Sequence, residues 1–595
     1  MSFIYLISLI ALFLSMVLLK KTEKKQNILI SIIYSSCIIF FLDSLFAYIL
    51  SLLNINNSLL SFSFLNLLLV SVILIINYKK NKKITYQKYY LNKKELYGLI
   101  IILIICFIFG LYRYSGFKSI KYNISDAAVH YKMSKDYGIY GKLFDDRYKD
   151  AVYGFGHTMF GYYVPCGLFM KVMPIATYQS YNIFNTLMLC LFALVFYATL
   201  LFMKKDSKHN IFTVFLTILY TAAYPLNYML FGFGYLGSGI LATNMIILTW
   251  KYIQKYKENY MYINLALINF GLFFSYYLFV PATFLAEGLF MIYLFIKEEY
   301  KITTLLKNGI ISLIIPTLLG FSYFIISSKG VENAISNYSI DGFSYKNLID
   351  NYVLLIPLII YALIEQLKKK KVDFDLLFLI SIFLYIIGTF IFIGSGHVSP
   401  YYFYKAYYIL WIIVNMYIYR LVHVKKYKIV LKVTYILVCI CIMFSVYDIE
   451  KIISDKNHDY PYSGTVKKLG DIYSFNTDMI VNGYSISAEK LNLILSPIKY
   501  SKECKLKKQI AYAGNYSDRR WFYMITNIIP DIKKEENSDV FGRPLKYEEF
   551  TNSKKDKCLL ISYDYFKDNK VTYDINYKEY KILYKNKYGK LIRKK

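Results

Sequence analysis

The chain has 595 residues, 57% hydrophobic and 18% charged, with a formal net charge of +31. That is too apolar for a soluble protein of this length, because its long uncharged runs need lipid as their solvent. The positive charge does not point to nucleic acid either. Lys and Arg fall in short clusters at 20–25, 79–83, 204–208, 251–257, 368–371 and 420–428, between apolar runs, and form no continuous stripe.

The first apolar run begins at Met1 and is followed by Lys20 and Lys21, the reverse of a cleavable signal, so it is expected to remain as a span. Spans are expected near 2–19, 30–53, 59–78, 96–114, 173–203, 211–231, 237–253, 262–279, 282–296, 308–327, 351–367, 374–393, 406–420 and 429–447. This makes an all-α polytopic membrane protein of about fourteen transmembrane helices. In the stretch 264–297, Pro281 interrupts the apolar run between two basic connectors. The chain is therefore expected to go out and back as two short helices turning near Pro281.

If the basic connectors are cytoplasmic, both termini lie outside. So do the segments 115–158, 232–239, 328–351 and 394–405. Past residue 447 the long apolar runs give way to short alternating ones at 509–512, 559–563 and 580–584, then a turn at 587–589 and a last run at 590–593. This reads as a small extracytoplasmic α+β C-terminal domain, 448–595, closing on a hairpin. Of eight cysteines, most are apolar filler inside the spans, whereas Cys504 and Cys558 can pair if their side is oxidising.

Candidate chemistry sits in the external segments. Asp126 opens a helical run that Gly138 is expected to stop, with Asp126, His130, Met133 and Tyr137 on one face. Asp126 is then merely a helix cap, or a general base with His130 one turn away. His157 follows in Tyr153-Gly154-Phe155-Gly156-His157, just before the chain re-enters the membrane. The segment from Gly394 to Lys405 supplies His397, Tyr401, Tyr402 and Lys405, which could hold a lipid phosphate or simply form an aromatic belt. Glu287 is an acid inside an apolar run and is expected to border a wet cavity or to be paired. Asp518-Arg519-Arg520-Trp521 in the tail could contact an anionic acceptor but reads best as a structural salt bridge.

An apolar helix, an acid opening an amphipathic external helix and a Tyr-x-Gly-x-His approach to the next span together resemble the GT-C superfamily of membrane glycosyltransferases. The likeness covers roughly 96–447, leaving 1–95 as a three-helix N-terminal extension. It implies a catalytic Asp at position 126, a polyprenyl-phosphate sugar donor, and inverting transfer to a cell-envelope glycan or lipid-linked acceptor. His130 would assist Asp126, while His157, His397, Tyr401, Tyr402, Lys405 and Glu287 would bind substrate. Ala127 stands where many members carry a second acid. No motif demands a cofactor, and a divalent metal, Mg or Mn, would have Asp126, Asp145 and Asp146 as its ligands. The rival readings are a polysaccharide polymerase or ligase, expected to lean on external arginines, and a lipid-linked-oligosaccharide flippase or transporter.

Overall fold

In a computed structural model, the structure describes residues 1–20, 22–122, 126–143, 160–203, 210–297, 299, 301–326, 356–368, 372–394, 400–422, 472–481, 483–506, 509–530, 558–564 and 578–595. The expected span 429–447 lies outside the described residues. Three N-terminal helices, α1 (Ser2–Leu18), α2 (Ile28–Leu52) and α3 (Leu59–Asn81), lead into α4 (Lys93–Arg113). A helix α5 (Asp126–Tyr140) follows, then α6 (Phe160–Val172) and α7 (Thr177–Met203). Next come α8 (Asn210–Ala222), α9 (Tyr224–Phe231) and α10 (Gly234–Tyr256). The sequence continues with α11 (Tyr260–Tyr276), α12 (Val280–Ile296), α13 (Ile302–Gly309) and α14 (Ile315–Ile326). The last helices of the bundle are α15 (Ile356–Lys368), α16 (Phe374–Gly394) and α17 (Pro400–Val422).

Among the described residues, eight helices are long and apolar enough to cross a membrane, not fourteen. The difference has local causes. α1 is 17 residues and α15 is 13, while α10 and α17 carry lysines and polar side chains. The 37-residue apolar stretch Tyr260–Ile296 is not one rod. A continuous helix would hold Asn269 and Glu287 about 27 Å apart at 1.5 Å per residue. Instead Asn269 Nδ2 donates to Glu287 Oε2 at 3.1 Å. The chain therefore folds back at the 3₁₀ turn Tyr277–Phe279, just ahead of Pro281, as the charge pattern predicts. α6 is a buried helix of 13 residues, in an apolar run too short to cross a membrane.

Of the three N-terminal helices, α2 packs into the rest of the bundle. α2 is buried along most of its length, with Tyr48 packed against Phe160, Phe270, Phe274 and Tyr323, and Ser44 donating to the Gly161 carbonyl at 3.1 Å.

The two ends of the bundle differ in charge. At one end the basic connectors meet: Lys24 reaches the Lys255 carbonyl, Lys80 lies 3.8 Å from Glu258, and Lys257 lies 3.4 Å from Glu299. Strands β1 (Gln26–Asn27) and β2 (Tyr89–Tyr90) pair here, and Asn27 and Asn92 cap α2 and α4. At the same end Lys251 bonds both oxygens of Asp375, at 2.9 and 2.7 Å, and Arg420 binds Asp373, Asp375 and Gln366. At the other end the α2–α3 turn touches the end of α5, where the Asn57 amide donates to the Gly141 carbonyl at 2.7 Å.

The tail also packs at that second end. Helix α18 (Ile472–Val481) has its last carbonyls capped by Arg113, and Asn476 bonds Asn227 and the carbonyls of Ala222 and Ala223 where α8 gives way to α9. Two short helices follow, α19 (Ala488–Ile494) and α20 (Ser496–Lys499), then strand β3 (Gln509–Ala513) and helix α21 (Tyr516–Thr526). Strands β4 (Ile529–Pro530), β5 (Cys558–Ser562), β6 (Tyr580–Asn586) and β7 (Gly589–Lys594) complete a sheet of order β4-β3-β5-β7-β6. β3 is parallel to β4 and β5, and β7 is antiparallel to β5 and β6. The closing hairpin is the one the alternating runs indicate. Cys504 and Cys558 form a disulfide that ties the helical half of this module to its central strand.

Candidate functional site

The site is built on α5. Asp126 lies in its first turn, and Ser125 is outside the described residues. The helix does not stop at Gly138. It runs to Tyr140 and is closed by Gly141, at φ +63°, whose amide bonds the Tyr137 carbonyl. Gly138 has a different use: a Cβ there would come within 2.7 Å of the Gly167 carbonyl, so two glycines let α5 and α6 cross backbone to backbone.

That close crossing brings Tyr163 to His130. Nδ1 of His130 and the Tyr163 hydroxyl share a hydrogen bond of 2.7 Å, with the two rings nearly parallel. Phe233 meets the imidazole edge-on at 5.5 Å, and Tyr235 lies 5.0 Å from it. Both belong to the segment 232–239, where Gly232, at φ +73°, presses so closely on α5 that a Cβ would meet that of Ala127 at 2.7 Å. Burial pushes the His130 pKa down to about 4, opposed by the charge of Asp126 and assisted by that of Arg520. His130 is therefore neutral near pH 7.

A pH dependence follows. Unfolded histidine titrates near 6.5 and folded His130 near 4, so the unfolded chain binds more protons between those values. The stability gained by keeping His130 neutral is present above pH ~6.5 and is lost as pH falls towards ~4. His130→Gln is expected to flatten this part of the pH profile of thermal unfolding. An unchanged slope between pH 6.5 and 4 would show that other groups set the acid sensitivity.

Asp126 and His130 do not bond each other. The Asp126 side chain is 57% exposed, and its Oδ1 accepts from Arg520 Nη1 at 2.9 Å. Arg520 sits on α21, which is docked on α5 by several contacts. Trp521 stacks on Tyr122 at 5.8 Å and tilts against Tyr131 at 5.6 Å. Lys135 bonds the Met524 and Ile525 carbonyls at the end of α21, where the helix dipole favours a cation. Lys132 joins Asp136 and Asn527, both at under 3 Å. Ile120 and Ile486 add a two-way backbone bridge. The salt bridge expected of the tail motif exists twice over: Asp518 pairs with Lys490 at 2.8 Å, and Arg520 reaches across to Asp126.

Lys405 joins the same cluster from α17. It is buried, and its ammonium lies 5.5 Å from the Phe233 ring and 5.0 Å from that of Tyr408, so Lys405 and His130 flank one phenyl ring. Asp126 and Arg520 are thus paired one turn from His130, and His130 and Lys405 share an aromatic cluster of Tyr163, Phe233 and Tyr235. Tyr235 in turn stacks on Tyr276 at the α11–α12 turn.

Glu287 is elsewhere. It is buried against Asn269 near the middle of the α11–α12 pair. His157, His397, Asp145 and Asp146 lie outside the described residues, as do the side chains of Tyr401 and Tyr402. Among the described residues no three His, Cys, Asp or Glu side chains gather as a metal-holding group. Sequence reasoning missed Tyr163, Phe233 and Tyr235 as site walls, and it weighed the Arg520 motif as a salt bridge or an acceptor contact without placing it beside Asp126. The glycines of 232–239 were the one available signal. No protein-family model matches this chain, and a search of curated proteins finds no match to it.

Proposed function

We propose that this chain is an inverting membrane glycosyltransferase, moving one sugar from a polyprenyl-phosphate donor to a glycan or lipid-linked acceptor. The observation that carries the reading is the cluster itself. An exposed carboxylate, the Arg520 guanidinium and Lys405, whose pKa burial pushes down to about 7, meet an aromatic wall at the end of the bundle opposite the basic connectors. A donor whose lipid stays in the bilayer would present its phosphate and sugar at such a depth. The Cys504–Cys558 disulfide and the segregation of lysines support assigning this end, with both termini, to the extracytoplasmic side.

In this mechanism Asp126 accepts the proton of the acceptor hydroxyl as its oxygen attacks the anomeric carbon from the face opposite the phosphate. The C–O bond to the phosphate breaks as the new glycosidic bond forms, and the configuration inverts. Lys405 and Arg520 stabilise charge developing on the departing phosphate. Neutral His130 holds the wall in place through Tyr163. Lys405→Ala is expected to lower donor-analogue affinity about ten- to hundredfold, the range for losing a charge-assisted contact. Unchanged affinity in a variant of unchanged melting temperature would remove Lys405 from the donor site.

A polymerase or ligase joining lipid-linked glycans is the second reading, and Arg520 favours it, since such enzymes are expected to use external arginines beside an acid. Purified protein incubated with monophosphate-linked sugar in one arm and diphosphate-linked glycan in the other separates the two.

A further inference from the structure

At the basic end of the bundle, far from the α5 cluster, a cavity of about 450 Å³ opens between α1, α2, α3 and the start of α11. Its inner wall is mostly apolar, formed by Met16, Leu19, Ile38 and Ile73, with Ser15, Tyr34, Ser35, Asn77 and Asn264 among them. Its rim carries Lys20, Lys80 and Lys257. On α3 the lining runs from Lys80 back to Ile73, seven residues, so the cavity reaches about 10 Å along the helix from the charged rim. Ile76 belongs to the wall and is also 59% exposed on the apolar perimeter, so the opening communicates with the membrane as well as with the rim.

We infer that this cavity binds an anionic phospholipid, with one acyl chain inside and the phosphate among Lys20, Lys80 and Lys257. The volume lies within the range of about 300–1,000 Å³ typical of ligand sites. The gradient from apolar interior to cationic rim matches a lipid lying along a helix and not a soluble metabolite. Each rim lysine has an acid partner: Glu23 sits 2.6 Å from Lys20, Glu258 lies 3.8 Å from Lys80, and Glu299 lies 3.4 Å from Lys257. Lys24 and Lys255 stand outside the lining, Lys24 donating to the Lys255 carbonyl and Lys255 over the Phe202 ring. Of the three acids only Glu258 lines the cavity, so the lining itself holds three lysines against one glutamate. Basic pockets between helices at a membrane interface take phospholipid headgroups for this reason. The lipid would wedge α1 and α3 against the start of α11, joining the N-terminal helices to the rest of the bundle.

The test uses the full-length protein in mild detergent, offered equimolar phosphatidylglycerol and phosphatidylcholine, with bound lipid counted by native mass spectrometry. Wild type is expected to retain phosphatidylglycerol preferentially. Lys80→Gln and Lys257→Gln are each expected to lower that retention about fivefold, leaving phosphatidylcholine unchanged. Ile76→Trp, at an exposed position with every lysine intact, is expected to lower it by closing the mouth. Equal retention of the two lipids by wild type would overturn the inference. So would full retention by Ile76→Trp, which would mean surface charge alone, or displacement of the lipid by an equal concentration of glycerol 3-phosphate, which would mean a headgroup-only site.

Discussion

Asp126→Asn is expected to lower single-turnover transfer by about 10²–10⁴-fold while leaving donor-analogue affinity largely intact. Removing a general base takes away a proton acceptor needed in the transition state, with little effect on the ground state. Misfolding is not the expected cause. Asn has nearly the size of Asp and still suits the start of a helix, and the lost ion pair to Arg520 is half in water, where such pairs contribute about 0–1 kcal/mol. The same weakness makes the pair easy to exchange: an incoming phosphate can take Arg520 from Asp126 and leave the carboxylate free to accept a proton. Arg520→Ala should therefore weaken donor binding and slow turnover less than Asp126→Asn does. Full turnover by Asp126→Asn would end its role as base. Equal losses of affinity and rate in both variants, with lowered melting temperatures, would reduce the pair to a structural tie between α5 and α21.

The largest effect on stability is expected at the opposite end of the bundle. Asp375 is buried, with both oxygens on Lys251 and one shared with Arg420, so it balances two cations from α10 and α17. Asp375→Ala would leave the buried Lys251 ammonium uncompensated, which costs about 3–5 kcal/mol in comparable cases. Arg420 keeps Asp373 and Gln366 and should be less affected. Thermal unfolding of the purified protein should show a large drop for Asp375→Ala and substantial recovery in Lys251→Met/Asp375→Leu, where no buried charge is stranded. A double variant as unstable as the single one would mean that the loss comes from packing at the start of α16 and not from charge.

What the sequence by itself determined is what depends on neighbours a few residues away. Hydropathy averaged over one helix length marks α2, α3, α4, α7 and α16 as membrane helices, because lipid rewards apolar surface wherever the chain enters it. Lysines between runs sort the connectors to one end, and Pro281 between two basic segments announces the fold-back of α11 onto α12. Alternation with period two locates β3, β5, β6 and β7 in the tail. Only the tertiary structure decided the partners. Arg520 meets Asp126 across 394 residues, and no local pattern encodes such a pairing. α6 escaped notice because its apolar run is only 13 residues long with Pro165 inside, too short for a span, and what holds it is close packing of Gly167 on α5 and Gly161 on α11. His130 and Lys405 look alike in sequence as polar residues of external segments, yet both are buried around Phe233, since burial is fixed by the elements that pack over a residue and not by the residue itself.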